Sequence, residues 1–98
     1  MPVMALPDGI DAESVVAATV SDDACAPEIR QGDLVIIARD HPWSDGDLVA
    51  LIHKSHLLVR RAFHEGQQVL VVGADLSDRH TLAAQAILGR VVSSVRFH

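Results

Sequence analysis

Residues 32–38 read GDLVIIA and residues 46–53 read GDLVALIH, so one pattern of Gly-Asp followed by an apolar run occurs twice. A glycine supplies a backbone conformation that other residues resist, and an apolar run this short has the length of a β-strand. The pattern therefore predicts two strands, over residues 34–38 and 47–53, that each enter a sheet directly after a turn.

Outward from these two segments, short apolar runs separated by turn residues predict further strands. Lys54-Ser55 is predicted as the tight turn of a hairpin, and Glu65-Gly66 as a second turn. The additional strands are predicted over residues 15–20, 57–63, 69–72 and 86–97.

Two segments lack such a pattern. Residues 1–10 contain two prolines and a glycine and are predicted to be irregular. Residues 75–86 are polar and Ala-rich, and they are predicted as a loop with a single helical turn. With almost no helical periodicity elsewhere, residues 1–98 are predicted to form one mostly β domain of antiparallel strands and hairpins.

The composition argues against several classes of function. With 49% hydrophobic and 21% charged residues the chain is typical of a globular domain. Its net charge of -5 disfavours non-specific binding to nucleic acid or to an anionic membrane, because both depend on excess Lys and Arg. The sequence shows neither a signal-peptide pattern nor an apolar run of membrane-spanning length, and its only cysteine suits a reducing compartment. We therefore expect a cytoplasmic protein.

Residues 24–33 read ACAPEIRQGD, and this segment resembles the Ser-Met-x-Pro-x-Ile-x-x-Gly-Asp signature of LexA-type and signal-peptidase-type serine peptidases. Other elements resemble that family in the correct order: residues 45–47, residues 59–61, residues 69–75 and the terminal segment ILGRVVSSVR at residues 87–96. The resemblance spans about residues 11–96. It implies the small β domain, of the β-clip type, that forms the C-terminal part of LexA and phage repressors.

In this resemblance, Ala24 and Arg60 occupy the family's two catalytic positions. The implied mechanism needs a Ser hydroxyl that is activated by a neutral Lys amine. Ala24 has no nucleophile, and the guanidinium of Arg60 stays protonated and cannot accept a proton. An engineered Ser-to-Ala change would account for Ala24 but not for Arg60, nor for Cys25 where the family has Met. We therefore predict a naturally degenerate, non-catalytic domain, a pseudoenzyme.

Other chemistry is weakly supported by the residues. Cys25 is a conceivable relocated nucleophile, but a small buried residue in the Met position is the preferred interpretation. The six histidines show no metal-ligand spacing, so they are interpreted as surface residues, and no metal or other cofactor is predicted. Asp22-Asp23 is interpreted as the solvated face of a turn. Arg60-Arg61 is too small a cluster to predict direct contact with nucleic acid.

The resemblance also implies a second role, because this domain pairs with another copy so that two DNA-binding units grip a palindromic operator. The terminal strand, which forms much of that pairing surface, is the best-matched segment here. Its alternation is compatible with one face in the core, and the opposite face or the strand edge could meet a partner copy, although a core strand in a monomer is the simpler alternative. The predicted interface residues are Leu88, Arg90, Val92, Ser94 and Arg96.

Two hypotheses of function follow. The first is the dimerisation domain of a transcriptional regulator, a phage or LexA-like repressor, that self-cleavage does not inactivate. The second is a stand-alone interaction module, such as an antirepressor, that binds a LexA-like or repressor partner through the same strand or occupies a protease cleft. Residual peptidase activity through Cys25 is a weaker third hypothesis. No DNA-binding unit or Ala-Gly scissile bond precedes Ala24 in the sequence, so we expect either a fragment of a longer repressor or a separate gene product.

Overall fold

The computed structural model describes residues 14–26, 28–39, 42–75 and 77–96. Seven strands in these residues form one antiparallel sheet in the order β1-β2-β7-β3-β4-β5-β6, which confirms the mostly β fold. The predicted irregular segment 1–10 lies outside the described residues. The strands are β1 (Val15–Thr19), β2 (Leu34–Arg39), β3 (Leu48–His53), β4 (His56–Glu65), β5 (Gln68–Val72), β6 (Arg79–Ala83) and β7 (Ile87–Val95).

The loop predicted over residues 75–86 is wrong in part, because Arg79–Ala83 forms the edge strand β6. Only Leu82 of this strand is half-buried, and it pairs with Val69 of β5. Because β6 lies at the edge of the sheet and exposes most of its side chains to water, it does not need alternating apolar residues. The sequence pattern that identifies buried strands is therefore missing from residues 79–83. The predicted helical turn is a short 3-10 helix at Ala84–Ala86.

Each Gly-Asp pair closes a turn and then starts a strand. Gly32 and Gly46 have φ angles of 90° and 92°, a region that only glycine enters without strain. The following aspartates cap these turns, since Asp33 accepts the backbone N–H of Arg30 at 2.9 Å and Asp47 accepts that of Ser44 at 2.9 Å. The repeated pattern is thus a turn that feeds an apolar strand into the sheet, as the sequence predicted.

The sheet buries apolar clusters on both of its faces. In β3 the neighbouring residues Val49 and Ala50 are completely buried in different clusters, which explains why this strand is apolar on both sides. The first cluster contains Val20, Cys25, Ile29, Val35, Ile37, Ala50, Leu57 and Val59. The second contains Val49, Ala62, Val69 and Val71, with Trp43, Leu82 and Ile87 packed against it.

The terminal strand β7 lies between β2 and β3 and contains two bulges. Its pairing with β3 shifts at Leu88 and its pairing with β2 shifts at Val92, so each of these residues is an extra one. Leu88 consequently packs against the first cluster, whereas Arg90 pairs with Val49 of the second. The uniform alternation predicted for this strand is therefore wrong, because each bulge changes which face the following residues occupy.

No helix formed by the described residues has both the length and the apolar character that crossing a membrane requires.

Candidate functional site

Ala24 lies on the segment between β1 and β2, and backbone hydrogen bonds attach this segment to two other parts of the sheet. The N–H of Ser21 donates to the carbonyl of Leu57 at 2.9 Å, and the N–H of Ala74 donates to the carbonyl of Ala24 at 2.6 Å. Gly73 lies so close that a Cβ there would be 2.8 Å from the Ala24 carbonyl oxygen. Ala24 is therefore held tightly between β4 and the loop that follows β5.

Arg60 lies in the middle of β4 and is only 5% exposed. Its guanidinium makes a two-pronged ion pair with Asp22, with Nη2 to Oδ2 at 2.8 Å and Nη1 to Oδ1 at 3.1 Å. Nη1 also donates to the carbonyl of Val59 at 2.9 Å, and Nε lies 3.3 Å from Oδ2 of Asp78. A buried charge needs partners of this kind, and Arg60 draws them from two separate loops.

The two positions singled out by the sequence meet at Asp22. Its Oδ1 accepts both the guanidinium of Arg60 and, at 3.3 Å, the backbone N–H of Ala24. The interpretation of Asp22 as a merely solvated turn residue is therefore wrong. A charged residue in the centre of an apolar strand was the available signal, because a buried arginine requires a carboxylate nearby. Which carboxylate reaches it depends on the path of the segment before β2, and local sequence does not reveal that path.

The protonation states in this cluster follow from its contacts. The hydrogen bonds from Arg60 hold the pKa of Asp22 below its ordinary value despite partial burial, so this carboxylate is ionised at neutral pH. Burial acts to lower the pKa of Arg60, but its hydrogen bonds with Asp22 and the charges of Asp22 and Asp78 outweigh this and raise it. Arg60 is therefore a permanent cation with carboxylates on both sides, which is the opposite of the neutral amine that a general base must be.

Cys25 faces the interior and not this cluster. The residue is 6% exposed, belongs to the first apolar cluster, and its Sγ donates to the carbonyl of Val59 at 3.2 Å. Burial raises the pKa of the thiol, even though the charges of Arg60 and Arg61 oppose that shift. A protonated, buried thiol that donates to a carbonyl is a poor nucleophile, which favours the interpretation of Cys25 as a packing residue.

The described histidines are all exposed, as predicted, at positions 53, 56, 64 and 80, whereas His41 and His98 lie outside the described residues. His64 contacts Asp45 at 2.8 Å and stacks on Trp43 with ring centroids 4.0 Å apart. In the ranges that the structure describes, no group of three or more His, Cys, Asp or Glu side chains is arranged to hold a metal ion.

The second half of β7 has one free margin. Residues 89–95 pair with β2, but only residues 87–90 pair with β3, so residues 91–95 have no strand on their other side within the described part of the chain. Of the predicted interface residues, Val92 and Ser94 lie on this free segment. Leu88 and Arg90 lie in the doubly paired half, and Arg96 forms an ion pair with Asp33 at 3.1 Å.

Comparison with known families agrees with this architecture. A family model described as Peptidase S24-like matches residues 3–92, from before β1 into the second half of β7. No curated protein matches the chain.

Proposed function

The chain belongs to the Peptidase S24-like family, and from this premise we propose that it is a non-catalytic domain that dimerises a transcriptional regulator in the cytoplasm. In this proposal the domain itself contacts neither nucleic acid nor a membrane. The observation that carries the proposal is the free margin of β7. At the two positions that the resemblance assigns to catalysis, Ala24 has only a methyl side chain and Arg60 forms an ion pair with Asp22.

The contacts of Arg60 support the loss of catalysis more strongly than its identity alone. A family catalyst would need a neutral amine near the nucleophile, in a site that desolvates it. Here Asp22 and Asp78 approach the side chain at position 60 from two loops, at 2.8 Å and 3.3 Å. Any cation at that position is stabilised in its charged form, because opposite charges at this distance favour ionisation.

This argument predicts that restoring the two family residues does not restore activity. The Ala24→Ser variant and the double variant Ala24→Ser/Arg60→Lys should hydrolyse p-nitrophenyl acetate no faster than the unaltered chain, since Asp22 and Asp78 would keep the lysine protonated. Mass spectrometry should detect no acyl adduct. A burst of nitrophenol, or an acyl group attached to the introduced serine in either variant, would contradict the proposed non-catalytic role.

The free margin of β7 supports dimerisation for a physical reason. The N–H and C=O groups on this side of residues 91–95, which have no partner strand among the described residues, can form a ladder with a second copy of the same segment. If two such segments run antiparallel across a twofold axis, every contact is made twice by identical surfaces. Val91, Val92 and Val95 are half-buried on this segment, so the pairing would also cover apolar side chains.

Dimerisation and its location are testable by sedimentation. We expect the unaltered chain to sediment as a dimer and Ser94→Glu to weaken its association by at least about tenfold, because the twofold axis brings two like charges together. Ser94 is exposed, so the substitution leaves the core intact. Ser77→Glu, at an exposed serine far from β7, is the matched control and should dimerise normally.

A chain that stays monomeric at about 1 mM would overturn the dimer proposal. A dissociation constant of about 1 mM corresponds to a binding free energy of only about 4 kcal/mol, so even a weak dimer would be substantially populated at that concentration. The remaining candidate would then be the interaction module, in which the same margin pairs with a strand of another regulator. A Ser94→Glu variant that dimerises like Ser77→Glu would instead overturn the assignment of the interface to β7.

A further inference from the structure

The strand β6 forms one edge of the sheet and is regular enough to pair with a further strand. It pairs with β5 over five consecutive residues without a register shift, and no described strand lies on its other side. Its sequence, RHTLA, contains neither the proline nor the lysine that commonly protects an edge from further pairing. The N–H and C=O groups on this side of β6 can therefore form a ladder with an extended chain.

A hollow of about 430 Å³ lies beside β6, on the face of the sheet that carries the first apolar cluster. Its apolar walls include Phe63, Leu70 and Val72, of which Val72 is buried and the other two are half-buried. Thr81 of β6 pairs with Leu70, so its small side chain lies on this face, next to the hollow. A large apolar side chain that lies over Thr81 would reach Leu70 and be removed from water.

Two arginines line the hollow, and they differ in their contacts. Arg61 donates to the carbonyl of Gly46 at 2.8 Å and forms an ion pair with Glu28. Arg79 is opposite Val72 in the register, so its side chain leaves the sheet on the face of the hollow. Its guanidinium is exposed and makes no hydrogen bond or ion pair with another described residue. No acidic residue lines the hollow, so Arg79 is open to an incoming carboxylate.

We propose that β6 and this hollow are a docking site for an extended segment of a partner protein, in which an acidic residue follows a large apolar residue by two positions. The segment adds an antiparallel strand to β6, with the acidic residue opposite Arg79 and the apolar residue opposite Thr81. Residues two apart on a strand lie on one face, so this spacing brings both side chains to the hollow. A single acidic residue suits the site better than an acidic run, because the net charge of -5 repels a strongly acidic partner.

This docking site is separate from the margin of β7 that we assign to dimerisation. Three strands, β3, β4 and β5, lie between β7 and β6 in the sheet. A partner segment on β6 and a second copy on β7 therefore occupy different edges, and docking does not depend on dimerisation.

The probe for the experiment is the peptide TVTFTET with blocked ends, whose Phe and Glu are placed to face Thr81 and Arg79. In an amide-shift titration at pH 7.5 it should saturate one site with a Kd below about 1 mM, and the shifts should concentrate on β5 and β6. TVTFTKT and TVTSTET should each bind at least about fivefold more weakly, the first because it brings a like charge to Arg79 and the second because it leaves the hollow unfilled. Absence of saturation, or shifts confined to residues 91–95, would overturn the proposal.

Two N-methylated forms of TVTFTET test whether the peptide adds a strand. One form is methylated at Val, Phe and Glu, and the other at the threonines that precede them. In an added strand, alternate residues direct their N–H groups towards β6 and the others direct them towards water. Only one of the two forms should therefore lose affinity, by at least about tenfold. Equal losses, or no loss in either form, would show that the peptide does not pair with the edge.

A charge reversal locates the carboxylate. Arg79→Glu should bind TVTFTKT more tightly than TVTFTET, the reverse of the order expected for the unaltered chain. Arg79 is exposed, so the substitution leaves the core intact. Arg39→Glu, at an exposed arginine of β2, changes the net charge equally and should keep the original order. Equal effects of the two variants would contradict the pairing with Arg79.

Discussion

Replacing Arg60 by alanine is expected to lower the free energy of unfolding by about 2–3 kcal/mol at pH 7. Removing one partner of a buried ion pair typically costs about 3–5 kcal/mol, because the other charge is left unpaired. The estimate is lower here because the side chains of Asp22 and Asp78 are 37% and 32% exposed, so that water partly solvates them. In a domain of this size the midpoint of thermal unfolding should fall by roughly 10–20 °C.

The neighbouring arginine provides a matched control. Arg61 also forms an ion pair, with Glu28, but the two side chains are 42% and 54% exposed. Arg61→Ala should therefore cost no more than about 1 kcal/mol. Urea unfolding followed by circular dichroism would measure the free energy of unfolding of both variants. Equal decreases for Arg60→Ala and Arg61→Ala would contradict the conclusion that the buried ion pair of Arg60 stabilises the domain more than the exposed pair of Arg61.

The same ion pair predicts how stability depends on pH. The pKa of Asp22 is lowered in the folded state, so its contribution is complete above the unfolded pKa of about 3.9 and is lost as the pH falls through the folded value. The destabilisation caused by Arg60→Ala should therefore shrink in acid, as Asp22 becomes protonated. If the difference between the two proteins stayed constant down to about pH 2, the attribution to Asp22 would be wrong.

Replacing Gly89 by alanine is expected to destabilise the domain by about 3 kcal/mol or more, a large part of the stability of a small domain. Gly89 lies in the doubly paired half of β7, opposite Arg39 of β2 and Ala50 of β3. A Cβ there would lie 2.9 Å from the carbonyl carbon of Ala38 and even closer to its oxygen. The backbone of β2 cannot move away from this methyl group without breaking its pairing with β7, so a single added carbon is enough to destabilise the sheet.

Gly66→Asn is the control, because Gly66 has a φ of 64° and nothing within 4 Å of the position a Cβ would occupy. Asparagine tolerates this left-handed conformation, so the cost should stay below about 1 kcal/mol. Urea unfolding would compare the two variants. Equal midpoints would mean that β2 and β7 can separate locally, and that the tight approach at Gly89 does not limit stability.

The two Gly-Asp turns and the hairpin at Lys54-Ser55 were predictable because their information is local. Positive φ at Lys54 and Ser55 matches the twist of a two-residue hairpin, and the flanking apolar runs are continuous in sequence. Strand β6 was missed since an exposed edge strand has no apolar period. The bulges of β7 were missed because a one-residue shift depends on partner strands that are distant in sequence.

The sequence by itself determined the antiparallel β class, the family, and the identity of Ala24 and Arg60, the two residues from which we propose that the domain is not a peptidase. Each of these is a property of residue identity and of short-range order. Only the tertiary structure decided that Asp22 and Asp78 enclose Arg60 and that, among the residues the structure describes, β7 keeps a free margin over residues 91–95. These features join residues 38 or 18 positions apart, or strands whose order in the sheet is not their order in the chain. Charge pairing and strand pairing act through space, so chain folding had to bring these groups together before their chemistry could be inferred.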